Sequence, residues 1–138
     1  MARLNAAPET STMHHEKQLQ TPEGQKLLAA LRDVCRPLPE VTENVDGFGH
    51  TSFRVRRKSF VIAGMGEDGG AISIKADRET QAALIRRGPY YRTPYIGQHG
   101  WISIVDPLNH DWAEVAELIV DGYRRAAPKS LAKRVDFD

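Results

Sequence analysis

From residue 21 onward, hydrophobic positions recur every three to four residues, then every second residue, then every three to four again. In TPEGQKLLAALRDVCRPLP, Leu27, Leu28, Leu31, Val34 and Cys35 fall on one face of a helix. Thr21 suits its N-cap and Pro22 its first position, where a missing N–H costs nothing; Pro37 and Pro39 stop it. The period then falls to two. In TSFRVRR, Thr51, Phe53 and Val55 alternate with Ser52, Arg54 and Arg56, which predicts a strand with one buried face and places Arg54 and Arg56 together on the other. SFVIAGM and AISIK predict two more strands, and VTENVDGFG a first one ending in a turn at Gly47 and Gly49. Their short connections favour antiparallel hairpins, because a parallel pair needs a longer crossover.

The helical period returns in RETQAALIRR. Asp77 caps it, Ala82, Leu84 and Ile85 form a short apolar stripe, Gly88 supplies a left-handed stop and Pro89 prevents continuation. WISIV predicts another strand. Asp111 and Glu114 then have capping-box spacing, and Trp112, Val115, Ile119, Tyr123 and Ala126 make the stripe of a third helix that Pro128 ends. Strands grouped rather than alternating with helices mean an α+β fold: an antiparallel β-sheet with helices packed on one face.

Residues 1–20 lack this periodicity and are expected to form a tail, with 21–138 as one domain. His14 and His15 are adjacent, which is not the i, i+4 spacing of a helical metal pair. No run reaches the roughly 20 apolar residues of a membrane span, so no membrane partner is expected. The single cysteine, Cys35, excludes an internal disulfide and fits a cytoplasmic setting; on an apolar helix face it reads as a buried, inert thiol. The net charge of +1 conceals blocks. Residues 54–101 carry nine Lys/Arg against four Asp/Glu, 102–123 carry five acids and no Lys/Arg, and 124–134 carry five bases and no acid. A pI near 7.9 is low for a general DNA binder but compatible with a local basic patch.

GMGEDG matches G-x-G-x-x-G at Gly64, Gly66 and Gly69. A dinucleotide site needs a helix next, and a strand pattern follows instead, while Glu67 and Asp68 would repel phosphate. Gly69 and Gly70 suit the positive φ of a tight hairpin turn, so no nucleotide cofactor is expected. RRKS, 56–59, crowds Arg56, Arg57 and Lys58 onto one hairpin tip, either as phosphate ligands or as a solvated, aggregation-resistant turn. PYYRTPYIGQHGW, 89–101, concentrates aromatics between two prolines and reads as a rigid sheet edge. His50 and His99 are the candidates for acid–base chemistry, with Tyr95 or Asp106 as partners; no serine or cysteine nucleophile signature accompanies them.

LPEVTEN (38–44), FGHTSFRV (48–55), DGGAISIKAD (68–77), PYIGQHGWISI (94–104) and DWAEVAELIVDGYRRAAPKSLAKR (111–134) together resemble the MmcQ/YjbR family of small bacterial proteins, over roughly residues 24–134. The resemblance implies a CyaY-like, frataxin-related α+β fold and a predicted DNA-binding role through a double wing of hairpins. The first wing would be the Arg56–Lys58 turn and the second the GMGEDGG turn. Phe48 stands where tryptophan is frequent in that family, and Arg57 where a glycine often precedes the lysine. Frataxin-like iron binding would need converging carboxylates, and Glu23, Asp33, Glu40, Glu43 and Asp46 are scattered among bases. No metal is expected.

Three functional expectations follow. The first is a non-enzymatic DNA-binding protein that uses Arg54, Arg56, Arg57, Lys58, Arg86, Arg87 and Arg92, with exposed faces of Tyr90 and Tyr91. This requires the end of the second helix to lie beside the basic turn. The alternative is a small-molecule or protein-partner binding module with an aromatic pocket of His50, Tyr91, Tyr95, His99 and Trp101. The third is an enzyme acting through His50 and His99, if they meet across adjacent strands.

Overall fold

Thr21 opens the first helix by accepting a hydrogen bond from the Gly24 N–H at 3.0 Å, and the chain that follows is described by a computed structural model over residues 19–66 and 69–135. The expected tail falls, for residues 1–18, outside the described residues, as do His14, His15, Glu67 and Asp68. Helix α1 spans Pro22–Cys35, and strands β1 to β4 span Val41–Val45, Thr51–Val55, Lys58–Gly66 and Gly69–Ile74. Helix α2 (Arg78–Arg87) carries the chain to a short strand β5 (Tyr91–Arg92), and β6 (Ile102–Val105) returns beside it. Helices α3 (Trp112–Ala126) and α4 (Lys129–Ala132) follow.

The six strands form one antiparallel sheet in the order β1-β2-β3-β4-β6-β5. The fold is α+β, as the grouped strands predict. Alternation sends Phe53, Val55, Val61, Ile72, Ile74, Ile102 and Ile104 to the helix-covered side, all essentially inaccessible. They meet Leu27, Leu31 and Cys35 of α1 and Val115, Ile119 and Tyr123 of α3 in one core. Each such side chain contributes about 1.5–3 kcal/mol on burial. A bulge between Phe53 and Arg54 leaves Phe60 as the extra residue of β3, so Phe60 and Val61 are both buried. The Phe60 ring stands edge-on to Tyr123, centroids 5.5 Å apart. Gly122 is what lets α3 approach: a Cβ there would lie 2.9 Å from the Lys75 carbonyl and 3.2 Å from that of Phe60.

In α2, Ala82 and Ile85 are exposed, Leu84 is partly buried against the core, and buried Gln81 anchors the helix. Its amide donates to the carbonyls of Gly97 and Trp101, both at 2.8 Å, a polar staple beside the short apolar stripe. Three local expectations are revised. Gly88 has positive φ, 77°, but an extended ψ of 168° rather than a left-handed helical one. Of the two turn glycines, Gly69 alone has positive φ, and β4 begins there rather than at Ala71. Finally, Arg56 and Arg57 both occupy left-handed backbone, φ 49° and 71°. This turn takes Arg56 away from Arg54 and toward Glu40.

Candidate ligand groove on the bare sheet face

The side of the sheet opposite the helices bears no covering element among the described residues, and its floor is built from small side chains. Ser73 of β4 and Ser103 of β6 sit opposite one another in register, their hydroxyls 2.7 Å apart. Thr93, two residues past Tyr91 on the same face, adds a third hydroxyl 2.8 Å from Ser103. Gly64 and Ala71, also paired across strands, keep the floor low. Tyr91, Tyr95, Ile96 and Met65 rise around it, enclosing a groove of about 460 Å³. Tyr95 is 94% exposed, held at the rim by a positive φ of 69°.

Asp46 and His50 also line the groove. Asp46 Oδ1 accepts the backbone N–H of Phe48 at 2.8 Å and of His50 at 3.0 Å, closing the turn that the glycines at 47 and 49 allow. Its Oδ2 lies 3.3 Å from His50 Nδ1. Burial pushes the Asp46 carboxyl up, but the two backbone N–H groups and the His50 ring outweigh it and hold the group below the usual carboxylate range. Among the described residues no lysine or arginine lines the groove. Among the described residues no hydrogen bond joins His50 to a serine, so a nucleophile–base contact is not assembled.

The aromatic residues expected in one pocket are separated. His50, Tyr91 and Tyr95 line the groove; His99 and Trp101 do not. His99 is exposed in the 3-10 turn Gly97–His99, and Trp101 is buried, with the Lys75 ammonium 5.9 Å from its ring centroid. Tyr90 is not exposed either: its hydroxyl donates to Glu114 Oε1 at 2.9 Å, and burial first, then that carboxylate, pushes its pKa up. Cys35 lies in the core, where desolvation pushes its thiol up to about 12, too high for a thiolate at neutral pH.

The arginines expected to bind phosphate are placed apart. Arg56 forms a two-point pair with Glu40, at 2.6 and 3.0 Å, and Arg87 a two-point pair with Glu114. Each lowers its partner's carboxyl pKa through the side-chain hydrogen bond. Arg54 leans on Ser52. Arg57, Lys58, Arg86 and Arg92 have no carboxylate partner among the described residues. The Tyr123 hydroxyl donates to Pro39 beside Glu40, so the basic turn sits near the end of α3, whereas Arg87 grips its first turn. Glu114 and Tyr123 are nine residues apart, about 14 Å along the helix axis. The end of the second helix therefore does not lie beside the basic turn. Glu43 is likewise taken, by Arg32 at 2.7 Å.

Sequence reasoning missed the hydroxyl row because Ser73, Thr93 and Ser103 come from three segments and carry no local signature. It also missed Gln81, a polar residue inside a helical pattern. The period-two alternation of WISIV turns Ser103 to the face opposite Ile102 and Ile104.

This is the architecture of a small α+β domain with one helical layer and one open sheet face. The YjbR family profile matches residues 36–125, and the chain belongs to the YjbR family. Its structure is similar to the crystal structure of Deinococcus radiodurans protein DR2400, with its DUF419 domain, at a TM-score of 0.63 and 21% identity, covering 80% of this chain and 88% of that one. That likeness speaks to the fold. No curated protein matches the chain. Among the described residues no helix is long and apolar enough to cross a membrane.

Proposed function

We propose that the chain is a small-molecule binding module whose seat is the bare face of the sheet, and that its ligand is a small aromatic compound bearing a neutral or cationic polar group. The carrying observation is the groove of about 460 Å³ with hydroxyls on its floor, tyrosines on its walls and Asp46 as its one carboxylate among the described residues. Its size suits a small organic ligand, and it combines apolar walls with a few convergent polar groups. Three hydroxyls joined by two hydrogen bonds leave one O–H to donate outward, and the row can reverse polarity to accept instead. Tyr91 and Tyr95 offer ring faces for stacking or for a cation.

The wing reading, DNA bound through Arg54 to Lys58 with Arg86, Arg87 and Arg92, draws on fewer available cations than its sequence suggests. Arg56 and Arg87 are each satisfied by a carboxylate. Duplex binding typically neutralises several phosphates with unpaired bases. At the hairpin tip, Arg57 and Lys58 are exposed and have no carboxylate partner among the described residues.

Benzylamine and benzoate, titrated separately while backbone amide resonances are followed, separate these readings. Benzylamine is expected to shift Ser73, Tyr91 and Ser103 saturably, to bind several-fold more weakly to Asp46→Asn, and to outcompete benzoate. Groove resonances that ignore both probes would remove the proposal. So would duplex oligonucleotide binding that falls steeply with salt and disappears in the Arg57→Ala, Lys58→Ala double variant.

A further inference from the structure

The loop that walls the groove has a second side. Tyr91 faces the groove, so alternation turns Arg92 to the other side of the edge strand, where it meets the start of α2. There a cavity of about 270 Å³ is lined by Arg78, Gln81, Arg92, Gly97 and Gln98, with no carboxylate among them. Arg78 Nε donates to the Gln98 carbonyl at 3.0 Å, which fixes its guanidinium and leaves its terminal N–H groups unspent. Arg92 lies flat over the turn. A Cβ on Gly97 would sit 2.4 Å from Arg92 Cγ and 2.9 Å from its Nε, so glycine is what makes room for it. Gln81, buried and bonded to the Gly97 and Trp101 carbonyls, holds the turn in place. The adjacent acid, Asp77, is turned to the Thr80 N–H and to Arg125, 3.0 Å away.

We propose that this cavity is an oxyanion site for the phosphate group of a small phosphorylated ligand. Two guanidinium groups arrive from different elements, Arg78 held by the Gln98 carbonyl and Arg92 packed over Gly97. A carboxylate offers two oxygens and one negative charge, whereas a tetrahedral phosphate offers more oxygens and more charge to two such forks. The cavity is larger than a phosphate ion and leaves room for the arm that carries it. The pairing is absent from the basic turn: Arg56 has Glu40, while Arg78 and Arg92 have no acid among the described residues. The site is independent of the groove, since no residue lines both.

The test is a titration of the full chain with inorganic phosphate at constant ionic strength, against chloride and acetate, followed by amide and arginine Nε resonances. Saturable shifts are expected at Gly97, Gln98 and the Nε groups of Arg78 and Arg92. Arg92→Gln and Arg78→Gln should each raise the Kd at least tenfold, while Arg57→Gln leaves it unchanged. Gly97→Ala, which displaces Arg92, should weaken phosphate with both arginines still present. Thermal melts of each variant separate lost binding from lost folding. Shifts that do not saturate, that acetate reproduces equally, or that survive Arg92→Gln in a folded protein would overturn the site. Single-stranded DNA binding through these residues without binding of free phosphate would do the same.

Discussion

On the helix-covered face the strands present Phe53, Val61, Ile72, Ile74, Ile102 and Ile104; one residue out of phase, the bare face presents Ser52, Arg54, Ile62, Ser73 and Ser103. The first set is large and branched and excludes water against α1 and α3. The second sets three serines beside Arg54 and Ile62, and the hydroxyls of Ser73 and Ser103 bond one another rather than a covering layer. Depth on the bare side arises from contrast: a floor of Gly64, Ala71 and Ser73 beneath walls of Tyr91 and Tyr95. The same pleat thus builds a core on one side by filling space and a recess on the other by leaving it open.

The sharpest way to break the comparison is to truncate one residue per face. Phe60→Ala removes a fully buried ring from against Tyr123 and should cost about 3–5 kcal/mol in urea unfolding. A cost below about 1 kcal/mol would mean that the bulge relaxes to refill the space. Ser103→Ala, on the opposite face, deprives Ser73 and Thr93 of their shared partner and should cost only about 1 kcal/mol. If its cost equalled that of Phe60→Ala, the hydroxyl row would be part of the core rather than a binding floor.

The smallest effect belongs to the hairpin tip that joins β2 to β3. Arg57 holds φ at 71°, a region where a Cβ is strained, so Arg57→Gly should raise stability by up to about 1 kcal/mol, read as a higher Tm. A lower Tm would show that the Arg57 side chain contributes more than its backbone costs. The substitution also removes one of the tip's two exposed bases that have no carboxylate partner among the described residues, so an oligonucleotide titration on the same variant weighs the wing reading directly.

Most elements were legible because their signals are local. Thr21, Asp77 and Asp111 cap as their spacing predicts, each accepting from the N–H three residues on. The stripe Val115, Ile119, Tyr123 and Ala126 is buried as its period demands. In α2 the short stripe leaves only Leu84 partly buried against the core, and the helix is also held by Gln81, whose bonds to two distant carbonyls carry no local signature. The site was legible only in fragments. His50, Tyr91 and Tyr95 share the groove, but Trp101 and Tyr90 are drawn inward, one against Lys75 and the other to Glu114.

By itself, then, the sequence determined the elements, their grouping and the side of each strand that faces the helices, because periodicity and capping act within a few residues of chain. Which charges are free was decided only by tertiary structure. Arg56 meets Glu40 across 16 residues and Arg87 meets Glu114 across 27, so two bases that read as phosphate ligands are neutralised. Ser73 and Ser103 meet across 30, and a bare sheet face becomes a groove. Such contacts depend on strand order and on the direction each turn takes, and neither quantity is written in any one stretch of the chain.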